Sequence, residues 1–286
     1  MLREIRAFGV EYAELSHGIR VSLLPGIIEA VEAGEIKISS LHNFCPLPMG
    51  VNHAAPNLYQ FSSLDRRERE YAWKHSVKTV ETAARLKAPA VVLHLGSIDM
   101  KDYTERLLEM LKKGLKDSPK YAALRQEADE KREDKKQEYV ELASEMLDRL
   151  SGVAAQHGVR LGVENRQAVE EIPLDNDLQM LLLEFNRPSV GYWHDCGHAQ
   201  IKQNLGFIDH RMHLEGLAPR LLGFHVHDVV YPGRDHAAPG SGMIDFAALK
   251  PMVKPEHIKV FELSPRLSSE EAAAGVAFIK QVWGAQ

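Results

Sequence analysis

Residues 190–200 read VGYWHDCGHAQ. A short run of mostly apolar residues stops at an aspartate, and cysteine, glycine and histidine follow. Val190–Asp195 has the length and apolar character of a buried strand. Side chains alternate along a strand, so Asp195 and Trp193 share one face, and His194 and Tyr192 share the other. Asp195 is expected to face a site beyond the strand's C-terminal end, with Trp193 beneath it. His194 is expected to turn toward packing helices and not to be a ligand. Cys196 is expected to open a loop with no metal role. Gly197 would then let the chain turn and bring His198 back over Asp195.

Six more segments read as strands: Tyr12–Ser16, Ile36–His42, Val91–Gly96, Arg160–Asn165, Gly223–Asp228 and Lys259–Leu263. Between most of them lie helical patterns. Over 70–87, Trp73, Val77, Val80 and Ala84 fall at helical spacing, and 138–155 and 176–186 read the same way. Strands alternating with helices predict a parallel sheet of βα units. The chain has 286 residues, enough for one (β/α) barrel domain spanning 1–286. A closed barrel has eight strands, so a regular first strand is missing or replaced. The chain opens instead on the helix-like MLREIRAFG. The charged stretch from Met100 to about Lys136 reads as an inserted helical hairpin, broken at Asp117-Ser118-Pro119 with Ser118 or Asp117 as a cap.

Six of the seven strands carry a metal-ligand type of residue at or near the C-terminal end: His42, His94, Glu164, Asp195, His225 and Glu262. In a βα barrel these ends ring the active site. A buried carboxylate or imidazole on an apolar strand is costly unless paired or metal-bound. One such residue is ordinary packing; six at similar height point to a site. His225 and His227 share a strand face, so periodicity does not separate them. His17, His53, His75, His157, His210, His213 and His257 fall in helices or loops and read as bystanders. Cys45 has no assigned role, and Gly240 and Gly242 read as turn formers.

The stretches VVLHLGS, LGVENR, VGYWHDCGHA, GFHVHDVVYPGRDHAAPGSGMIDF and VFELSP resemble the xylose isomerase-like barrel superfamily of sugar isomerases, epimerases and family 2 apurinic endonucleases. The resemblance covers roughly 7–265 apart from the insertion. It implies a common metal site of Glu164, Asp195, His225 and Glu262, with Mn²⁺, Mg²⁺, Co²⁺ or Zn²⁺ as the divalent cofactor. Oxygen-rich ligation favours Mn²⁺ or Mg²⁺. The family's H-x-x-D pattern selects His225 over His227. The endonuclease branch adds ligands, which His42, His94, His198 and His236 match. Its third-site aspartate does not match, because Arg234 stands at that position and the acid is Asp235.

The isomerase branch implies an α-hydroxy carbonyl substrate, with Glu164 and Glu262 as the proton-transfer pair. His198, His227, Arg166 and Arg234 would contact substrate. A carbohydrate-like small molecule is the expected partner, with a homo-oligomer left open. The alternatives are abasic-DNA phosphodiester cleavage and a non-catalytic sugar- or metal-binding barrel. The net charge of −5 argues against gripping nucleic acid. Two scattered cysteines, no signal-peptide core and no membrane-length apolar run predict a cytoplasmic protein with no membrane partner.

Overall fold

The computed structural model describes residues 5–6 and 8–284. The helix-like opening over 1–9 rests mostly on 1–4 and 7, which lie outside the described residues. The seven strands expected from the apolar runs are β1 (Tyr12–Leu15), β2 (Lys37–His42), β3 (Ala90–Leu93), β4 (Arg160–Glu164), β5 (Val190–Asp195), β6 (Leu221–Val226) and β7 (Ile258–Phe261). They form one seven-stranded sheet whose hydrogen-bonded neighbours follow chain order. Among the described residues this sheet has no eighth strand. His94 and Glu262, expected inside strands, lie just past the ends of β3 and β7. Residues 96–97 pair separately with the short strand Glu171–Ile172.

The chain divides into two compact units. The first comprises Met1–Gly96, Tyr139–Glu164 and Leu182–Gly191. In it β1 to β4 run parallel, and register aligns Leu15, Leu41, Val91 and Leu161 across the four strands. All four are buried. The alternate row carries His42, Val92 and Gly162. Two residues further along the same parity come His94 and Glu164, so strand alternation puts the three ligand-type side chains on one face.

Helix α1 (Leu24–Glu32) follows β1, and α2 (Arg66–Arg85) precedes β3. Asp65 caps α2 by accepting the Arg67 N–H at 2.8 Å. The buried stripe of α2 differs from the expected one. Ala72, Ser76, Thr79, Val80 and Ala83 are buried, whereas Trp73, Val77 and Ala84 are only half-buried. Polar partners explain the offset. Ser76 and Thr79 bond the Asn43 amide at 2.8 and 2.9 Å, and Thr79 Oγ1 accepts the Cys45 N–H at 3.0 Å. Those bonds remove the desolvation penalty of burying hydroxyls.

The second unit comprises Ser97–Glu138, Asn165–Leu181 and Tyr192–Gln286. Here β5 pairs with β6 and β6 with β7, all parallel, placing Asp195 beside His225 and His225 beside Val260. Glu262 has the parity of Val260 and therefore of His225. Helices α3 (Tyr103–Lys112) and α4 (Pro119–Gln156) replace the expected hairpin. Ser118 Oγ accepts the Tyr121 N–H at 3.1 Å, and Pro119 opens the helix. The stretches expected to end near 136 and to restart at 138 are one 38-residue helix. No glycine or proline interrupts residues 120–151, so nothing breaks it. The remaining helices used below are α5 (Asp175–Glu184), α6 (Cys196–Leu205), α7 (His210–Leu217) and α8 (Ser269–Trp283). Among the described residues no helix is long and apolar enough to cross a membrane.

Candidate metal centre

In the first unit Glu164 closes β4 and is 1 % exposed. His94 Nε2 lies 2.7 Å and His42 Nε2 3.5 Å from its Oε2. The Asn43 carbonyl, 3.0 Å from His42 Nδ1, can only accept, so Nδ1 donates to it and Nε2 faces the carboxylate. Asn57 Oδ1 lies 2.8 Å from His94 Nδ1. Ligand atoms of His42, His94 and Glu164 all lie within 4.8 Å of one another. Two imidazoles and a carboxylate form a donor set that suits a divalent ion. His17, read as a bystander, stacks edge-on against His42 with centroids 4.8 Å apart.

In the second unit Asp195 is fully buried. Its Oδ2 is 3.7 Å from His225 Nδ1, and that nitrogen is 3.1 Å from Glu262 Oε2. Two carboxylates and one imidazole, with ligand atoms within 4.8 Å, match the hard-oxygen-plus-histidine chemistry of Mn²⁺, Mg²⁺, Co²⁺ or Zn²⁺. Trp193 sits beside His225 with ring centroids 5.3 Å apart.

Asn165 secures the Asp195 backbone at both ends. Its Oδ1 accepts the Asp195 N–H at 2.7 Å, and its Nδ2 donates to the Asp195 carbonyl at 3.0 Å. The Asn165 carbonyl lies 3.0 Å from His198 Nδ1, so that nitrogen donates to it. Nothing in the sequence beyond its place after Glu164 singled out Asn165.

Several expectations change on contact with the structure. Cys196 opens no loop. It is the first residue of α6, whose N-cap is Asp195 itself. Gly197 is needed for close approach rather than for a turn, because a Cβ there would lie 2.0 Å from His227 Cε1. Arg166 directs Nε and Nη2 to Glu171 Oε1 at 3.1 and 2.7 Å. That pairing closes a local loop five residues long. His227, expected to contact substrate, is fully buried. Its Nε2 lies 3.1 Å from both oxygens of Asp195, and its Nδ1 accepts the His236 N–H at 2.9 Å.

His236 stacks on His227 at 4.4 Å with φ of 54°. Its Nδ1 is 3.1 Å from Asp235 and its Nε2 3.7 Å from Glu262. Burial opposes its charged form, but hydrogen bonds to Asp235 and Glu262 outweigh it and raise the imidazole to about 10. Ligand-type atoms of His227, His236 and Glu262 also lie within 4.8 Å of one another. Arg234 begins the second strand of the hairpin Asp228–Val230/Arg234–Ala237 and is exposed.

Asp228 organises the glycine turn. Its carboxylate accepts the N–H groups of Val229, Gly240, Gly242 and Ile244 at 2.8–3.0 Å. His194 turns away from Asp195's face. Its Nδ1 lies 2.6 Å from Tyr192 Oη and its Nε2 3.0 Å from His210 Nε2. His213 and His210, both read as bystanders, belong to this buried network. Burial pushes His210 down to about 3 and His213 to about 4.

Solved structures with the same fold cover nearly the whole chain. A D-tagatose 3-epimerase-like protein is 16 % identical over 98 % of this chain and 90 % of its own, with a TM-score of 0.68. The 3-keto-D-glucoside 4-epimerase of E. coli is 15 % identical over 98 % and 92 %, TM-score 0.68. The D-allulose 3-epimerase of Methylomonas sp., in complex with D-allulose, is 16 % identical over 98 % and 91 %, TM-score 0.67. At these identities the likeness shows the fold alone. No curated protein matches the chain. The model of one family, described as Xylose isomerase-like TIM barrel, matches residues 2–282. With seven sheet strands following one another in chain order and ligand-type residues at their C-terminal ends, the chain belongs to the xylose isomerase-like TIM-barrel family.

Proposed function

We propose that this protein is a divalent-metal-dependent isomerase or epimerase acting on a sugar, a sugar phosphate or a related polyol or keto compound. The observation that carries the reading is the Asp195–His225–Glu262 set, with His225 Nδ1 3.7 and 3.1 Å from the two carboxylates. Glu164, at the end of β4, is proposed as the fourth ligand. The epimerase names of the structural neighbours support the substrate class.

A bound ion would polarise a substrate carbonyl and acidify the adjacent C–H. Glu164 and Glu262 are proposed to remove that proton and return it to the neighbouring carbon or the opposite face. His198, its Nδ1 tied to the Asn165 carbonyl, presents Nε2 to a substrate hydroxyl. The test is a panel of ketoses and aldoses incubated with Mn²⁺ or with EDTA and analysed by chromatography. A new epimer or isomer that EDTA abolishes supports the reading; an unchanged panel counts against it.

A second reading is metal-dependent phosphodiester cleavage. The further group His42–His94–Glu164 offers more ligands than a single ion requires. Asp235, however, holds His236 Nδ1 at 3.1 Å and stands one position from the endonuclease aspartate. Nicking of abasic duplex DNA, lost in EDTA, would favour this second reading.

A further inference from the structure

We infer that His227 is a positioning residue that fixes the Asp195 carboxylate for metal binding, and that it ties this ligand to the hairpin carrying His236. The inference rests on the metal reading above and deepens it. The observations that support it all lie within the second unit.

The tautomer follows from the hydrogen bonds. A backbone N–H can only donate, and that of His236 points at His227 Nδ1 from 2.9 Å. Nδ1 is therefore an acceptor, and the ring proton sits on Nε2. That Nε2–H lies 3.1 Å from Oδ1 and 3.1 Å from Oδ2 of Asp195, a forked bond to both oxygens. Oδ1 also accepts the His198 N–H at 2.7 Å, whereas Oδ2 faces His225. Oδ2 is accordingly the oxygen presented to a metal. Outer donors of this kind orient ligands and tune their basicity.

The ring is itself held in place. His236 stacks on one side at 4.4 Å. Gly197 in the first turn of α6 leaves room for the ring that no other residue would leave, since a Cβ would sit 2.0 Å from Cε1 and 2.6 Å from Nδ1. The ring is fully buried, with its two nitrogens directed at protein groups.

The test uses the full chain and Mn²⁺ as probe, with affinity read by calorimetry and geometry by electron paramagnetic resonance. His227→Leu is expected to weaken Mn²⁺ binding about 10–100-fold and to change the spectrum. His227→Gln keeps an N–H at the reach of Nε2 and is expected to recover most of that loss, which a merely space-filling role would not produce. Gly197→Ala leaves His227 in the sequence but displaces its ring, and is expected to weaken binding in the same direction. If His227→Leu does not fold, Gly197→Ala and His227→Gln decide. Wild-type Mn²⁺ affinity in folded His227→Leu or in Gly197→Ala overturns the inference alone. A wild-type chain that binds no divalent ion overturns the metal reading and this inference with it.

Discussion

One carboxylate does two jobs: Asp195 accepts the His198 N–H at 2.7 Å through Oδ1 while Oδ2 lies 3.7 Å from His225 Nδ1. The proposed ligand is also the N-cap of α6, so metal binding and helix geometry share one side chain. The two roles separate by substitution. Asparagine caps helices about as well as aspartate, whereas alanine loses ~1 kcal/mol. Asp195→Asn and Asp195→Ala are both expected to lose Mn²⁺ binding, but Asp195→Ala is expected to be about 1 kcal/mol less stable than Asp195→Asn. Urea unfolding of the two metal-free variants checks this; equal midpoints would separate the cap from stability.

The buried histidines behind β5 set an acid limit. His210 and His213 stay neutral in the folded protein, with values of about 3 and about 4. Unfolded, each would titrate near 6.5, the ordinary value of a histidine. The unfolded state therefore binds more protons as pH falls below 6.5, and stability drops from there down to about 4. Each histidine contributes on the order of 1 kcal/mol per pH unit in that window. Thermal melts from pH 7.5 to 4.5 are expected to show a falling midpoint. His213→Gln, which can still donate to Tyr192, is expected to flatten the slope. An identical slope in wild type and variant would remove His213 from the explanation.

The turn around Asp228 is held by one side chain. Asp228→Ala leaves four backbone N–H groups without their acceptor, and those of the buried Val229 and Ile244 each cost roughly 1–3 kcal/mol when unsatisfied. Gly242→Ala attacks the same turn by volume, since a Cβ would lie 2.4 Å from both Asp228 Oδ1 and the Val229 carbonyl. Both variants are expected to lower the unfolding midpoint and to speed amide exchange over 238–246. Wild-type exchange in Asp228→Ala would show that the turn holds without its carboxylate.

On α2, Ser76→Ala removes the oxygen that accepts Asn43 Nδ2 at 2.8 Å. The orphaned buried amide is expected to cost roughly 1–3 kcal/mol, measurable by urea denaturation. A change near zero would mean that Asn43 finds another acceptor.

The same helix shows where reading the sequence stops. Apolar runs located all seven strands, because short apolar runs between helical patterns are a signal of local composition. The strand C-terminal ends gathered His42, His94, Glu164, Asp195, His225 and Glu262, and period two set Asp195 on the face opposite His194, since alternation is a backbone property. What stayed hidden depends on partners distant in sequence. Ser76 and Thr79 are buried because Asn43 meets them, and no pattern within α2 announces that. Arg166 pairs with Glu171 and His227 with the His236 backbone, contacts that no local pattern announces. His210 and His213 look like helix-surface residues until Tyr192 and His194 are packed against them. Cys196 was read as loop because the capping role of Asp195 was masked by its role as a candidate ligand.

Proton transfer next to a carbonyl, dependent on a divalent ion, is the central claim. It is tested most directly by incubating the protein with ketoses in D₂O and following the hydrogens next to the carbonyl by nuclear magnetic resonance. With Mn²⁺, wild-type protein is expected to exchange a single such hydrogen for deuterium in at least one ketose. EDTA, Glu164→Gln and Glu262→Gln are each expected to abolish the exchange. Exchange that persists in EDTA or in both glutamine variants, or none with any ketose at saturating Mn²⁺, would contradict it.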